Sequence, residues 1–136
     1  QRKVLLKYKS PEKNTVNSFM CDFNRLTQIM SNLISNALKF TPEGGTVSFG
    51  FYYDIDPNSI ILFVKDNGIG IPKDAQKHIF DRFRQAHIMT HTDYGGTGLG
   101  LSISKGLVEN MNGRIWFESE EGVGTQFSIS LPIKNI

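Results

Sequence analysis

The sequence predicts a two-layer α/β sandwich: a mixed, mainly antiparallel sheet with helices on one face. Three observations predict it. Residues 46–55 and 60–65 read as hairpin strands around DPNS, and residues 114–119 and 125–131 read as a second hairpin around EEGVG. Between and before these strands lie stretches with helical apolar spacing. Strands that outnumber helices, with helices interleaved, have to bury one sheet face under those helices.

Element by element, Val4–Lys9 is β-like and SPEKN is a turn. Asp22 is placed to cap a helix running to about Phe40, whose apolar residues Leu26, Ile29, Met30, Leu33, Ile34, Ala37 and Leu38 follow a 3.6-residue period. Pro42 stops that helix, and Gly44-Gly45 turns the chain. From Thr46 to Ile55, Val47, Phe49, Phe51 and Tyr53 share one strand face. Ile60–Lys65 pairs back on it. Pro72 suits the first turn of a short helix reaching about Phe80. Residues 84–97 read as a long polar loop, rich in glycine at its end. A helix from Gly98 to Asn112 follows, with Gly113 as its stop, before the last hairpin.

At 136 residues the chain is expected to be one domain. A net charge of +2, without a basic run carrying interleaved aromatics, argues against a nucleic-acid partner. The single cysteine, Cys21, allows no internal disulfide and fits a reducing compartment. No apolar run approaches 18 residues, so no membrane contact is expected of the domain itself. The ends, QRKVLLKYK and LPIKNI, read as cuts through strand patterns, so residues 1–136 are expected to be a fragment of a longer protein.

Three stretches carry candidate chemistry. In NLISNALKF and the turn before it, residues Gln28, Asn32, Ser35, Asn36 and Lys39 fall on one helical stripe. Such a stripe alone fits a solvated face, but solvated faces favour Glu, Lys and Arg, and asparagine is a poor helix former. An asparagine amide oxygen is a neutral, hard ligand of the kind Mg²⁺ accepts, and Lys39 would lie near the same phosphates. In DNGIG, residues 66–70, Asn-Gly alone signals a turn. A carboxylate at a strand end followed by glycines also suits recognition of a base, with Asp66 accepting from an exocyclic amine. In GGTGLGLSI, residues 95–103, clustered glycines leave backbone N–H groups bare where a helix opens, which suits phosphate. The dinucleotide-fold fingerprint fails, because its third glycine falls on Leu101 or Lys73. The P-loop fails too, because no Gly-Lys-Ser/Thr occurs.

Taken in order, NLISNALKF, DNGIGIP, IFDRF, GGTGLGL and GTQF resemble the N box, first glycine box, F box, second glycine box and terminal G-T-x-F of the catalytic ATP-binding domain of sensor histidine kinases. The resemblance spans essentially the whole chain and implies the Bergerat fold, shared with gyrase, MutL and a heat-shock chaperone. It implies ATP and Mg²⁺ as ligands, with Asn36 on the metal, Asn32 one turn earlier, Lys39 on the phosphate side and Phe40 beside the nucleotide. Asp66 would hold the adenine amine, Gly68, Gly70 and Ile71 would form the wall under the base, and Thr125 would support the adenine site through Asp66 or water. Gly96, Thr97, Gly98, Leu99, Gly100 and Leu101 would form the lid hinge and the helix end facing phosphates. Phe80 and Phe83 match the F box, where core packing is the plainer role. Arg84 is expected to reach the γ-phosphate.

The acceptor histidine of the family lies on a separate helical domain, and His78, His87 and His91 have no acceptor-box context. A metal site on His87 and His91 is not expected without a third ligand. The hydrolytic branches carry Glu where this chain has Asn32, and an amide cannot deprotonate water. Expected partners are therefore a histidine-bearing dimerisation domain of the same protein and a response-regulator receiver downstream. The expected setting is a cytoplasmic domain, its parent a candidate for inner-membrane anchoring. The rival readings are an ATPase clamp, disfavoured by Asn32, and a non-catalytic nucleotide-binding or partner-binding module.

Overall fold

A computed structural model describes residues 4–9, 22–54, 58–81 and 100–132. Five strands, β1 (Leu5–Lys9), β2 (Thr46–Asp54), β3 (Ser59–Asp66), β4 (Arg114–Glu120) and β5 (Gly124–Pro132), form one sheet in the order β1-β2-β3-β5-β4. Only the β1–β2 pair is parallel. A parallel pair needs a crossover, and helix α1 (Phe23–Lys39) lies in that connection. The mixed, mainly antiparallel sheet matches the expectation.

Helix α1 begins where expected. The Asp22 carboxylate accepts the Arg25 backbone N–H at 3.1 Å, satisfying a donor that no helical carbonyl can reach. Ile29, Leu33 and Ala37 are buried on its inner stripe, with Leu26, Met30, Ile34 and Leu38 flanking. Full burial of Ile29 or Leu33 contributes about 1.5–3 kcal/mol each. The helix closes at Phe40, and the buried Thr41 hydroxyl donates to the Ala37 carbonyl at 2.7 Å.

Directly opposed residues share a sheet face, so the register sorts the layers. Phe49, Val64, Phe127 and Phe117 form one row, and Phe51, Leu62, Ile129 and Ile115 the next. These rows meet α1 and helix α3 (Gly100–Asn110) in one core. At the end of the same face the row turns polar: Val47, Asp66, Thr125, Ser119.

Two helix boundaries differ from expectation. Helix α2 covers only Lys73–Gln76, with Pro72 at its N-cap, and turns carry the chain on through Phe80. Helix α3 ends at Asn110, and its left-handed residue is Asn112 (φ 62°), not Gly113. The N–H of Gly113 returns to the Val108 carbonyl at 2.9 Å and that of Asn112 to Glu109 at 3.0 Å, which makes a Schellman closure. Gly113 is needed for space instead: a Cβ there would sit 2.3 Å from the Ser130 carbonyl oxygen.

Candidate functional site

The polar end of the inner sheet face lies against the C-terminal end of α1. Asp66 closes β3 with 7% exposure. Its Oδ1 accepts the Gly68 backbone N–H at 2.8 Å, and the Thr125 backbone N–H also faces the carboxylate. Burial raises the Asp66 pKa above the ordinary carboxylate value, while these two backbone bonds pull it back. A buried carboxylate in this state has an incentive to meet a donor.

The segment after Asp66 is held on both sides. The Ile69 N–H donates to the Phe40 carbonyl at 3.1 Å, and the Gly122 N–H donates to the Ile69 carbonyl at 2.7 Å. A Cβ on Gly68 would lie 2.2 Å from the Phe40 carbonyl oxygen, and one on Gly70, where φ is +73°, would lie 2.2 Å from that of Glu120. These glycines are therefore close-approach residues. Asn67 is tied to the start of β2 instead of closing a local turn: its Oδ1 accepts the Thr46 N–H at 2.7 Å, while its own backbone N–H donates to the Thr46 carbonyl at 3.2 Å.

Along α1, Asn32, Asn36 and Lys39 are half-buried, whereas Gln28 and Ser35 are exposed. The stripe is thus not a uniform solvated face. Asn32 Nδ2 donates to the Gly100 carbonyl at 3.4 Å and to Ser104 Oγ at 3.3 Å. The Gly100 carbonyl requires the amide nitrogen on that side, so Oδ1 is directed away from this pair. From Phe40 back to Asn32 the helix rises about 12 Å. The buried Asp66 carboxylate lies at one end of that span and the stripe of Lys39, Asn36 and Asn32 runs back along it, an arrangement that can hold an extended ligand with a hydrogen-bonding head and an anionic tail.

Other expected residues serve packing in this structure. Ile71 and Leu101 lie in the hydrophobic core, at 4% and 2% exposure. The Phe80 ring meets Phe117 and Phe127 edge-on at 5.9 and 6.3 Å, with Lys105 Nζ 5.4 Å above it. Phe40 is buried beside the Asp66 loop. Gly100 is the first described residue of α3, and among the described residues nothing lies within 4 Å of a Cβ placed on it. Phe83, Arg84, His87, His91, Gly96, Thr97, Gly98, Leu99 and the rest of the polar loop 84–97 lie outside the described residues.

Three contributors escaped the sequence reading. Ser104 is fully buried and meets Asn32. Ser119 Oγ accepts the Ile71 N–H at 2.8 Å and lies 2.8 Å from Thr125 Oγ1. Gln76 Nε2 donates to the Ile71 carbonyl at 2.9 Å and to that of Ser119 at 3.4 Å. Each has an ordinary residue type in an ordinary local pattern, so only the cross-strand neighbours give it a role. Among the described residues no three His, Cys, Asp or Glu side chains converge as a metal cluster. No described helix is long and apolar enough to cross a membrane.

Residues 21–135 match the family described as histidine kinase-, DNA gyrase B-, and HSP90-like ATPase. The chain is 44% identical over 113 residues to the sensor histidine kinase WalK of Bacillus subtilis, covering 83% of this chain and 18% of WalK. It is 44% identical over 119 residues to the circadian input-output histidine kinase CikA of Synechococcus elongatus, covering 88% of this chain and 16% of CikA. Among solved structures, the mycobacterial sensor histidine kinase MprB superposes with a TM-score of 0.80 at 27% identity, over 98% of this chain and 86% of that one. Full-length ShkA in complex with AMPPNP superposes with a TM-score of 0.82 at 30% identity, over 98% of this chain and 26% of that one.

Proposed function

Because the chain belongs to the histidine kinase-, DNA gyrase B- and HSP90-like ATPase family, as a histidine-kinase catalytic domain, we propose that it binds Mg-ATP and presents the γ-phosphate to a histidine on a separate dimerisation domain of the same parent. The observation that supports this best is the bond between Ile69 N–H and the Phe40 carbonyl at 3.1 Å. It ties the Asp66 loop to the end of the helix carrying Asn32, Asn36 and Lys39, so the two ends of an extended nucleotide site share one rigid frame.

The donor types fit the ligands. Asp66 accepts from the adenine amine, with Thr125 beside it and Gly68 and Gly70 admitting the base close to backbone. Asn36 offers Mg²⁺ a neutral oxygen, and the phosphates and water complete the shell. Bound there, the ion would offset phosphate charge during transfer. Lys39 adds a positive charge on the same stripe, and we assign Arg84, with the Gly96–Leu101 stretch, to the γ-phosphate side. Asn32 cannot serve as a general base, so water is not activated at that position. The transfer is then a matter of alignment. A receiver domain downstream, a cytoplasmic location and an anchored parent belong to the same proposal.

Calorimetry with Mg²⁺ tests the core of it. ATP is expected to bind at least tenfold more tightly than GTP, because a carboxylate facing the guanine carbonyl loses a charge-assisted bond worth about 1.5–3 kcal/mol. Equal affinities defeat the base assignment. Radiolabelled ATP is expected to leave the isolated chain unlabelled and to mark the dimerisation helices once they are added. Acid-labile phosphate on His78, His87 or His91 contradicts the division of labour.

A further inference from the structure

Ser119 lies in the adenine end of the proposed site, yet none of the sequence boxes contains it. It stands opposite Thr125, which stands opposite Asp66, so the three side chains form one row across β4, β5 and β3 on the helix-covered face. In such a row, adjacent strands place paired side chains within contact.

The hydroxyl protons in this row can be counted. Ser119 Oγ accepts the Ile71 N–H at 2.8 Å, which fixes the hydroxyl in place. Its own proton points to the Gly124 carbonyl at 3.1 Å. Either hydroxyl can donate in the 2.8 Å contact with Thr125 Oγ1; with the Ser119 proton on the Gly124 carbonyl, the donor is Thr125. Thr125 is buried at 7% exposure, and its backbone N–H is already directed at Asp66. With its proton given to Ser119, the Thr125 hydroxyl has only lone pairs left to offer. Asp66 likewise presents acceptor lone pairs beyond the two backbone donors that it holds, Gly68 and Thr125.

We propose that Ser119 is a specificity-determining positioning residue: by taking the Thr125 proton it makes the Asp66–Thr125 pair acceptor-only, so that the site selects a purine carrying an exocyclic amine at C6. An amine supplies two N–H donors to such a pair, directly or through one water. A 6-oxo purine supplies a carbonyl that finds no donor there. This rests on the nucleotide-binding reading above, and adds to it a residue and a direction of hydrogen bonding.

The test compares Mg-ATP with Mg-ITP, whose base carries a 6-oxo group, by calorimetry on this chain. Ser119→Ala releases the Thr125 proton, which can then turn toward the 6-position. The ATP-over-ITP preference is expected to fall about three- to tenfold, the range of one neutral hydrogen bond. Ser119→Thr keeps the hydroxyl and is expected to keep the preference. Thr125→Val is expected to lower it as well, and adding Ser119→Ala to Thr125→Val is expected to change it no further. Equal weakening of ATP and ITP in Ser119→Ala overturns the proposal and leaves Ser119 a structural strut. Independent, multiplying effects of the two substitutions overturn it too. If Ser119→Ala does not melt cooperatively, Thr125→Val decides alone, and an unchanged preference there overturns the proposal. An unsubstituted chain that binds neither nucleotide defeats the underlying site assignment, a different result from a selective chain that ignores Ser119.

Discussion

The C-terminal end and the middle of helix α1 are held in different ways. At its C-terminal end the Asp66 loop is locked by backbone donors at 2.7–3.1 Å and by glycines that touch neighbouring carbonyls. Two turns earlier, α1 packs on α3 through the shared apolar core and adds one amide, Asn32, that reaches the start of α3 at 3.3 and 3.4 Å. The first arrangement cannot shift without breaking backbone contacts. The second has its polar part in two longer, and therefore weaker, hydrogen bonds. A base has to be read by fixed acceptors, because a hydrogen bond loses its value when misaligned. In the proposed site the ligand's phosphates lie next to the second glycine box, where the longer bonds of Asn32 leave room for adjustment.

The largest expected effect breaks the rigid end. Gly70→Ala combines a positive φ with a Cβ 2.2 Å from the Glu120 carbonyl oxygen, and is expected to destabilise the fold by about 3 kcal/mol or more. Gly122→Ala is its control: φ is +83°, but nothing lies within 4 Å of the added Cβ. Only backbone strain of about 1–2 kcal/mol is expected there. Denaturant unfolding measures both, and equal losses would show that contact with the hairpin does not hold the loop.

Next comes Asp66→Asn, which separates binding from folding. ATP affinity is expected to fall by about 1.5–3 kcal/mol, with selectivity over GTP relaxed. Stability at neutral pH is expected to hold or rise, because the amide removes a desolvated charge while still accepting from the Gly68 N–H. A parallel loss of both would make Asp66 structural.

The same carboxylate gives opposite pH dependences. Its folded-state pKa is raised above 3.8 by burial. In the window above 3.8 the folded state therefore binds more protons than the unfolded one, and Asp66's contribution to stability grows as pH falls through that window. The amine of ATP needs the ionised form, so ATP affinity is expected to fall as pH falls through the same window. Titrations at stepwise lower pH check this, and Asp66→Asn should flatten that part of the profile.

The smallest effect is expected at Asn32. Asn32→Ala removes one donor pair and is expected to cost about 0.5–1.5 kcal/mol of stability, with ATP affinity changed no more than a few-fold. Transfer to an added histidine domain is expected to drop, whereas Asn36→Ala is expected to weaken Mg-ATP itself. If Asn32→Ala leaves transfer untouched while Asn36→Ala abolishes it, Asn32 does no more than brace α1 against α3.

Periodicity and local chemistry marked much of this molecule in advance. Asp22 caps α1 because its carboxylate meets an N–H three residues away, and Leu33 is buried because it recurs at the helical period. The β2–β3 hairpin follows from alternation on either side of a turn. Asp66 stood out because a carboxylate before glycines is chemically unusual. Such features are set within a few residues, so the chain alone determines them.

Ser119, Ser104, Gln76 and the choice of Asn112 over Gly113 as the left-handed residue were decided elsewhere. Ser119 matters because β5 places Thr125 opposite it and the loop brings the Ile71 N–H to its hydroxyl. Ser104 matters because α3 crosses α1 at Asn32. Gly113 is needed because β5 brings the Ser130 carbonyl against it, not because of its own φ. The sequence by itself determined which residues carry charge, lone pairs and helical or strand periods. Only the tertiary structure decided which protons meet which lone pairs, because hydrogen bonds act over about 3 Å and their partners here lie up to 72 residues apart in the chain.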